Sequence, residues 1–217
     1  MPKPILSPFL DKLPLRMDSM LLLVLQNSKR EVSTVNTIKI VAIGDSITYG
    51  FPYLPEQSWF FLASKEFAIE HVNSGINGDT TTGMLSRFDR DALGHKPSHV
   101  IIMGGTNDAY EGVEVSQVID NIRVMVKLAV ENGITPIIGL PIPCNDWYAE
   151  TLLGEYREVI QQYAVNNSTV YIDFYSAMID ESNTEIKSGL HCDGVHPSEA
   201  GYKVMAGVAI EILRKMF

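Results

Sequence analysis

Short runs of β-branched and apolar residues alternate along the chain with segments whose apolar positions recur at three and four. Strand one is expected from near Ile38; its run Ile40 to Ile43 is apolar enough to predict a strand buried on both faces, and it breaks at Gly44-Asp45-Ser46. A loop with Pro52 and Pro55 follows over Phe51 to Ser58, and helical spacing returns from Trp59 to about Ile69. Val72-Asn73 reads as a short second strand ending at Ser74-Gly75. Thr80-Thr81-Thr82 is suited to cap a helix that carries Met84, Leu85 and Phe88 on one face. Val100 to Met103 predicts strand three, stopped by Gly104-Gly105.

In the second half the strongest periodicity runs from Val113 to Asn132, with Val115, Val118, Ile119, Ile122, Met125, Val126 and Ala129 on one face and Gly133 as the glycine that ends the helix. Strand four is expected over Ile134 to Leu140, a helix over Glu150 to Asn166, strand five over Val170 to Phe174, and a last helix over Pro197 to Lys215. Strands that alternate with helices imply βαβ units, hence a parallel sheet with right-handed crossovers. The predicted fold is a three-layer α/β/α sandwich around a five-stranded parallel sheet, flavodoxin-like in order.

Residues 1–36 do not follow this rhythm. Met20 to Leu25 is apolar but too short to span a bilayer, and Gln26-Asn27-Ser28-Lys29-Arg30 follows it instead of a small-residue cleavage site. Residues 1–36 are therefore read as an N-terminal extension, loose or a short helix, and residues 37–217 as one domain, with a cytoplasmic location and no stable membrane insertion expected. A formal net charge of -9 argues against nucleic acid or an anionic membrane as a main partner, since both reward a basic face. Cys144 and Cys192 suggest no disulfide framework.

Four polar stretches fall where strands leave the sheet or a helix begins: Gly44-Asp45-Ser46, Asn77-Gly78-Asp79, Gly104-Gly105-Thr106-Asn107-Asp108 and Asp193-Gly194-Val195-His196-Pro197. Ligands in open α/β sheets bind beyond the carboxyl ends of the strands, so these stretches share the edge where chemistry is expected. A serine there needs a base to become a nucleophile, a group to orient the base, and donors for an oxyanion. The chain has neither a Gly-x-Ser-x-Gly elbow, a phosphate-binding loop nor a His-Glu-x-x-His motif. His191, Cys192, Asp193 and His196 match no zinc-module spacing, so no metal and no cofactor are expected.

In order and spacing, Ile43-Gly44-Asp45-Ser46-Ile47-Thr48, Gly105-Thr106-Asn107-Asp108 and Asp193-Gly194-Val195-His196-Pro197 resemble the blocks of the SGNH (GDSL) hydrolase family. The resemblance extends over about Ile38 to Leu213. It implies Ser46 as nucleophile, His196 as general base and Asp193 as the group that orients it. It also implies an oxyanion hole from the backbone N–H of Ser46, that of Gly78 and the side-chain amide of Asn107. The expected activity is hydrolysis of a small-molecule carboxylic ester or thioester, of the lysophospholipase or thioesterase kind, through an acyl-Ser46 intermediate. A carbohydrate acetylesterase is the alternative within the same chemistry, and a binding module without turnover the alternative from another class. Substrate-wall candidates are Phe51 and Tyr53 after strand one, and Ile142, Trp147 and Tyr148 after strand four. These two loops carry no lysine or arginine.

Overall fold

The computed structural model describes residues 38–182 and 185–217. The expected extension over residues 1–36 lies outside the described residues. The described chain runs through β1 (Lys39–Gly44), α1 (Ser46–Tyr49), α2 (Trp59–Phe67), β2 (Glu70–Gly75), α3 (Thr81–Asp91), β3 (His99–Met103), α4 (Thr106–Glu111), α5 (Val115–Glu131), β4 (Thr135–Gly139), α6 (Trp147–Asn166), β5 (Val170–Ile172), α7 (Phe174–Met178) and α8 (Glu199–Leu213). All five strands are parallel, in the order β2-β1-β3-β4-β5, the flavodoxin-like arrangement expected.

The period-2 pattern of the strands supplies two cores. Val41, Ile43, Val100, Ile102 and Ile138 point to one face, under α3, α5 and α6. Ile40, Ala42, Ile101, Met103 and Ile137 point to the other, under α2, α7 and α8. Because both faces are covered, the strands read as continuous apolar runs. Each fully buried Ile or Val contributes roughly 1.5–3 kcal/mol of transfer free energy. Among the described residues, no helix is long and apolar enough to cross a membrane.

Most boundaries shift by one or two residues from expectation, and four differences stand out. β2 begins earlier, at Glu70. The Asn107-Asp108 stretch lies on a six-residue helix, α4, preceded by Gly105 at φ +125° and stopped by Gly112 at φ +68°. β5 ends at Ile172, because Asp173 caps α7 by accepting from the Ser176 N–H and Phe174 turns into the core. α6 begins at Trp147, because the Asp146 carboxylate accepts from the N–H groups of Tyr148 and Ala149. Trp147 and Tyr148 therefore occupy the first turn of a helix, and the loop after β4 is shorter than expected. One wall candidate is overturned by burial: Ile142 is only 1% exposed and packs in the core beneath the sheet, where no substrate reaches it.

Candidate active site

Ser46 stands where β1 ends. Its neighbour Asp45 caps α1, with Oδ1 accepting from the Ile47 N–H at 2.9 Å, so the chain turns sharply and the serine falls at the carboxyl edge of the sheet. β1 lies between β2 and β3, which brings the loops after those two strands to either side of it. Gly44 is held by crowding, since a Cβ there would sit 2.2 Å from Thr48 Oγ1 and 2.4 Å from the Met103 carbonyl.

Asp45 is nearly fully buried, and burial pushes its carboxyl up from 3.8 to about 6, against the Ile47 N–H bond and the attraction of His196. A carboxyl raised in the folded state stabilises the fold below its unfolded value and loses that contribution as pH climbs through the folded one. Asp45→Asn cannot ionise. It is expected to gain stability on the wild type between pH 4 and pH 7, by about 3 kcal/mol at most. Denaturant midpoints at the two pH values test this, and a constant difference between the proteins would show that Asp45 does not titrate in that window.

Facing Ser46, residues 191–197 form a small closed loop. His191 and Pro197 pair as an antiparallel bridge, and the Cys192 N–H donates to the His196 carbonyl at 2.9 Å. Inside the loop, Asp193 Oδ1 accepts from the N–H groups of Val195 (3.0 Å) and His196 (2.8 Å), while Oδ2 accepts from His196 Nδ1 at 2.7 Å. Burial works to raise the Asp193 carboxyl. The His196 backbone N–H, the imidazole and the Val195 N–H outweigh it and hold the group below its ordinary value. With Nδ1–H committed to a carboxylate, the neutral imidazole presents Nε2 as an acceptor, and the Ser46 hydroxyl donates to it at 3.1 Å. The ring of Phe51 stands edge-on to His196 with centroids 4.6 Å apart, and buried Tyr202 holds Phe51 in place by donating to its carbonyl at 2.7 Å.

The expected oxyanion donors come from the neighbouring loops. Ile76 to Asp79 is a tight turn closed by the Asp79 N–H donating to the Ile76 carbonyl at 3.2 Å, with Gly78 at φ +77°. That left-handed conformation, rather than crowding, calls for glycine, since a Cβ at 78 would meet nothing within 4 Å. Asn107, at the start of α4, donates through Nδ2 to the Asp79 carbonyl at 2.8 Å. This bond sets its amide beside the Asp79–Thr80 peptide, one residue beyond Gly78, and engages one of its two N–H groups. Asp108 anchors α4 by accepting from the Thr81 N–H (2.9 Å) and hydroxyl (2.6 Å).

The structure thus brings together Ser46, Asp193 and His196 directly, and Gly78 with Asn107 through Asp79. Phe51 flanks the imidazole, and Tyr53 lies behind the loop with its hydroxyl 3.5 Å from Cys192 Sγ. Trp147 (79% exposed) and Tyr148 (53% exposed) lean on each other at the helix start that follows the loop. Several contributors escaped the sequence reading. The Asn145 N–H donates to the Gly194 carbonyl at 2.7 Å, and its side-chain oxygen accepts from the Ile186 N–H at 2.8 Å, fastening residues 186 and 194 to the loop after β4. His191 Nδ1 accepts from the N–H of buried Gly194 at 2.9 Å and so braces the loop. Tyr110, 46% exposed one turn after Asn107, approaches Cys144, Asp146 and Asp193, and burial is the main force raising its hydroxyl. Helical spacing from Asn107 is the signal that would have found Tyr110; His191 and Asn145 carry none.

The chain is similar to several known proteins. The chain is 28% identical over 167 residues to an esterase, TesA, of Pseudomonas aeruginosa, covering 74% of this chain and 80% of that one. It is 26% identical over 199 residues to an acetylxylan esterase of Geobacillus stearothermophilus, covering 77% and 90%. A solved structure from Desulfitobacterium hafniense, described as a lipolytic protein of the G-D-S-L family, superposes with a TM-score of 0.76 at 36% identity, covering 82% of this chain and 99% of that one. The model of the GDSL-like lipase/acylhydrolase family matches residues 42–204, and with the sheet order and the serine at the end of β1 it establishes that the chain belongs to that family and is a carboxylic ester hydrolase.

Proposed function

We propose that the chain hydrolyses neutral acyl esters through a covalent acyl-Ser46 intermediate. The observation that carries this reading is the unbroken relay from Ser46 Oγ to His196 Nε2 (3.1 Å) and from His196 Nδ1 to Asp193 Oδ2 (2.7 Å). Ser46 Oγ attacks the carbonyl carbon while its proton passes to His196 Nε2. The oxygen charge of the tetrahedral intermediate is received by the N–H groups of Ser46 and Gly78 and the amide of Asn107. The C–O bond to the alcohol then breaks, and His196 returns its proton to the leaving oxygen. Water attacks the acyl-enzyme, again giving its proton to His196, and the acid departs as Ser46 is restored. Asp193 stays anionic throughout and stabilises the imidazolium.

The residues around the relay suit an apolar, uncharged substrate. Phe51 offers an aromatic edge, and the segments after β1 and β4 bear no lysine or arginine to grip a phosphate or carboxylate. A p-nitrophenyl acyl series tests the reading: kcat/KM should peak at short to medium chains. A second reading, deacetylation of a carbohydrate, is favoured by the exposed aromatic pair Trp147 and Tyr148, whose faces can stack on a sugar ring. Turnover of the acetyl ester alone would favour that reading, and no turnover of any chain length would leave a binding module.

A further inference from the structure

Arg87, on α3, is a buried cation with acceptors on every side. It is 8% exposed. Its Nη2 donates to the Gly44 carbonyl at 3.0 Å, and its Nη1 to the Ser74 carbonyl at 2.9 Å and to Asp91 Oδ2 at 3.3 Å. Its Nε donates to Asp79 Oδ2 at 2.7 Å. Gly44 ends β1 two residues before Ser46, and Ser74 lies at the end of the neighbouring strand β2. Asp79 follows Gly78, and its carbonyl receives the Asn107 amide. One guanidinium therefore binds the end of the nucleophile's strand and the turn that carries the second oxyanion donor, and through that turn it reaches the third.

The packing around Asp79 points the same way. Gly83 sits in the first turn of α3, and a Cβ there would lie 1.9 Å from Asp79 Oδ1. The carboxylate is thus wedged between the Gly83 backbone and the Arg87 fork, with no room to swing. An oxyanion hole gains its effect from donors fixed before charge develops, so the group that holds their spacing affects the transition state more than substrate binding. Arginine suits the task because its planar fork directs several N–H groups along fixed lines, which the single point charge of lysine cannot do.

We propose that Arg87 is a positioning residue of the oxyanion hole, holding the Gly78-Asp79 turn and the Asn107 amide in register with Ser46. This rests on the assignment of Gly78 and Asn107 as oxyanion donors. The test is a double-mutant cycle on active-site-titrated protein, with the p-nitrophenyl ester of best turnover. Arg87→Lys is expected to lower kcat by roughly tenfold or more with KM nearly unchanged, because the register of donors to within about half an ångström is lost. Asp79→Asn keeps the side chain's size while removing the charge that the fork grips, and should act in the same direction if Arg87→Lys fails to fold. In an Asn107→Ala background either substitution should cost less, since one of the two donors it positions is gone. Equal costs in both backgrounds, or a lowered melting temperature with kcat intact, would show that Arg87 only joins α3 to the sheet and would overturn the proposal. If Asn107→Ala alone leaves kcat unchanged, the oxyanion assignment fails, and the proposal with it.

Discussion

His196→Ala is expected to lower kcat for a p-nitrophenyl ester by about 10⁴- to 10⁶-fold, nearly as much as Ser46→Ala, and the double substitution should cost little more than either alone. The physical reason is that the hydroxyl is a poor nucleophile until a base takes its proton, and Nε2 at 3.1 Å is the acceptor aimed at it. Asp193 fixes the tautomer of the neutral ring by taking the Nδ1–H at 2.7 Å, which leaves Nε2 as the acceptor. Neither residue is replaceable by a neighbour: His191, the nearest histidine in sequence, spends its Nδ1 on the Gly194 N–H. A loss of less than tenfold in His196→Ala, measured by steady-state kinetics on active-site-titrated protein, would mean that another group removes the proton.

Asn107→Ala is expected to lower kcat by roughly 10²–10³ with little change in KM, the signature of a donor that matters most when charge develops. The amide is held by the Asp79 carbonyl at 2.8 Å before substrate arrives, so its contribution does not depend on reorganisation during the reaction. A rise in KM with kcat preserved would make Asn107 a binding residue and remove it from the oxyanion hole.

Much of this site could be read from residue order because its members sit at strand ends, which an α/β sheet brings together whatever the loops do. The unbroken apolar runs Ile40 to Ile43 and Val100 to Met103 mark both strands, and Gly44-Asp45-Ser46 and Gly104 to Asn107 follow them. The three-residue spacing of Asp193 and His196 put base and orienting carboxylate in one turn. What sequence did not reveal is long-range or small. Arg87 meets Gly44 across 43 positions, and an arginine on an amphipathic helix looks like any solvent-facing charge until its acceptors are known. α4 is too short to show periodicity. Ile142, flanked by prolines, reads as loop, yet the chain leaving β4 runs over the sheet's edge and turns that side chain into the core. Asp146 was a better cap than any residue nearer Glu150, and missing it placed Trp147 and Tyr148 in a loop.

The central claim is that Ser46 forms the covalent intermediate. The measurement that tests it most directly is peptide mass spectrometry of the protein after reaction with a fluorophosphonate, run beside Ser46→Ala. The account predicts one phosphonate per chain, carried on Ser46, loss of esterase activity in step with labelling, and no adduct on the variant. A label on another residue, or full esterase activity in Ser46→Ala, would contradict it.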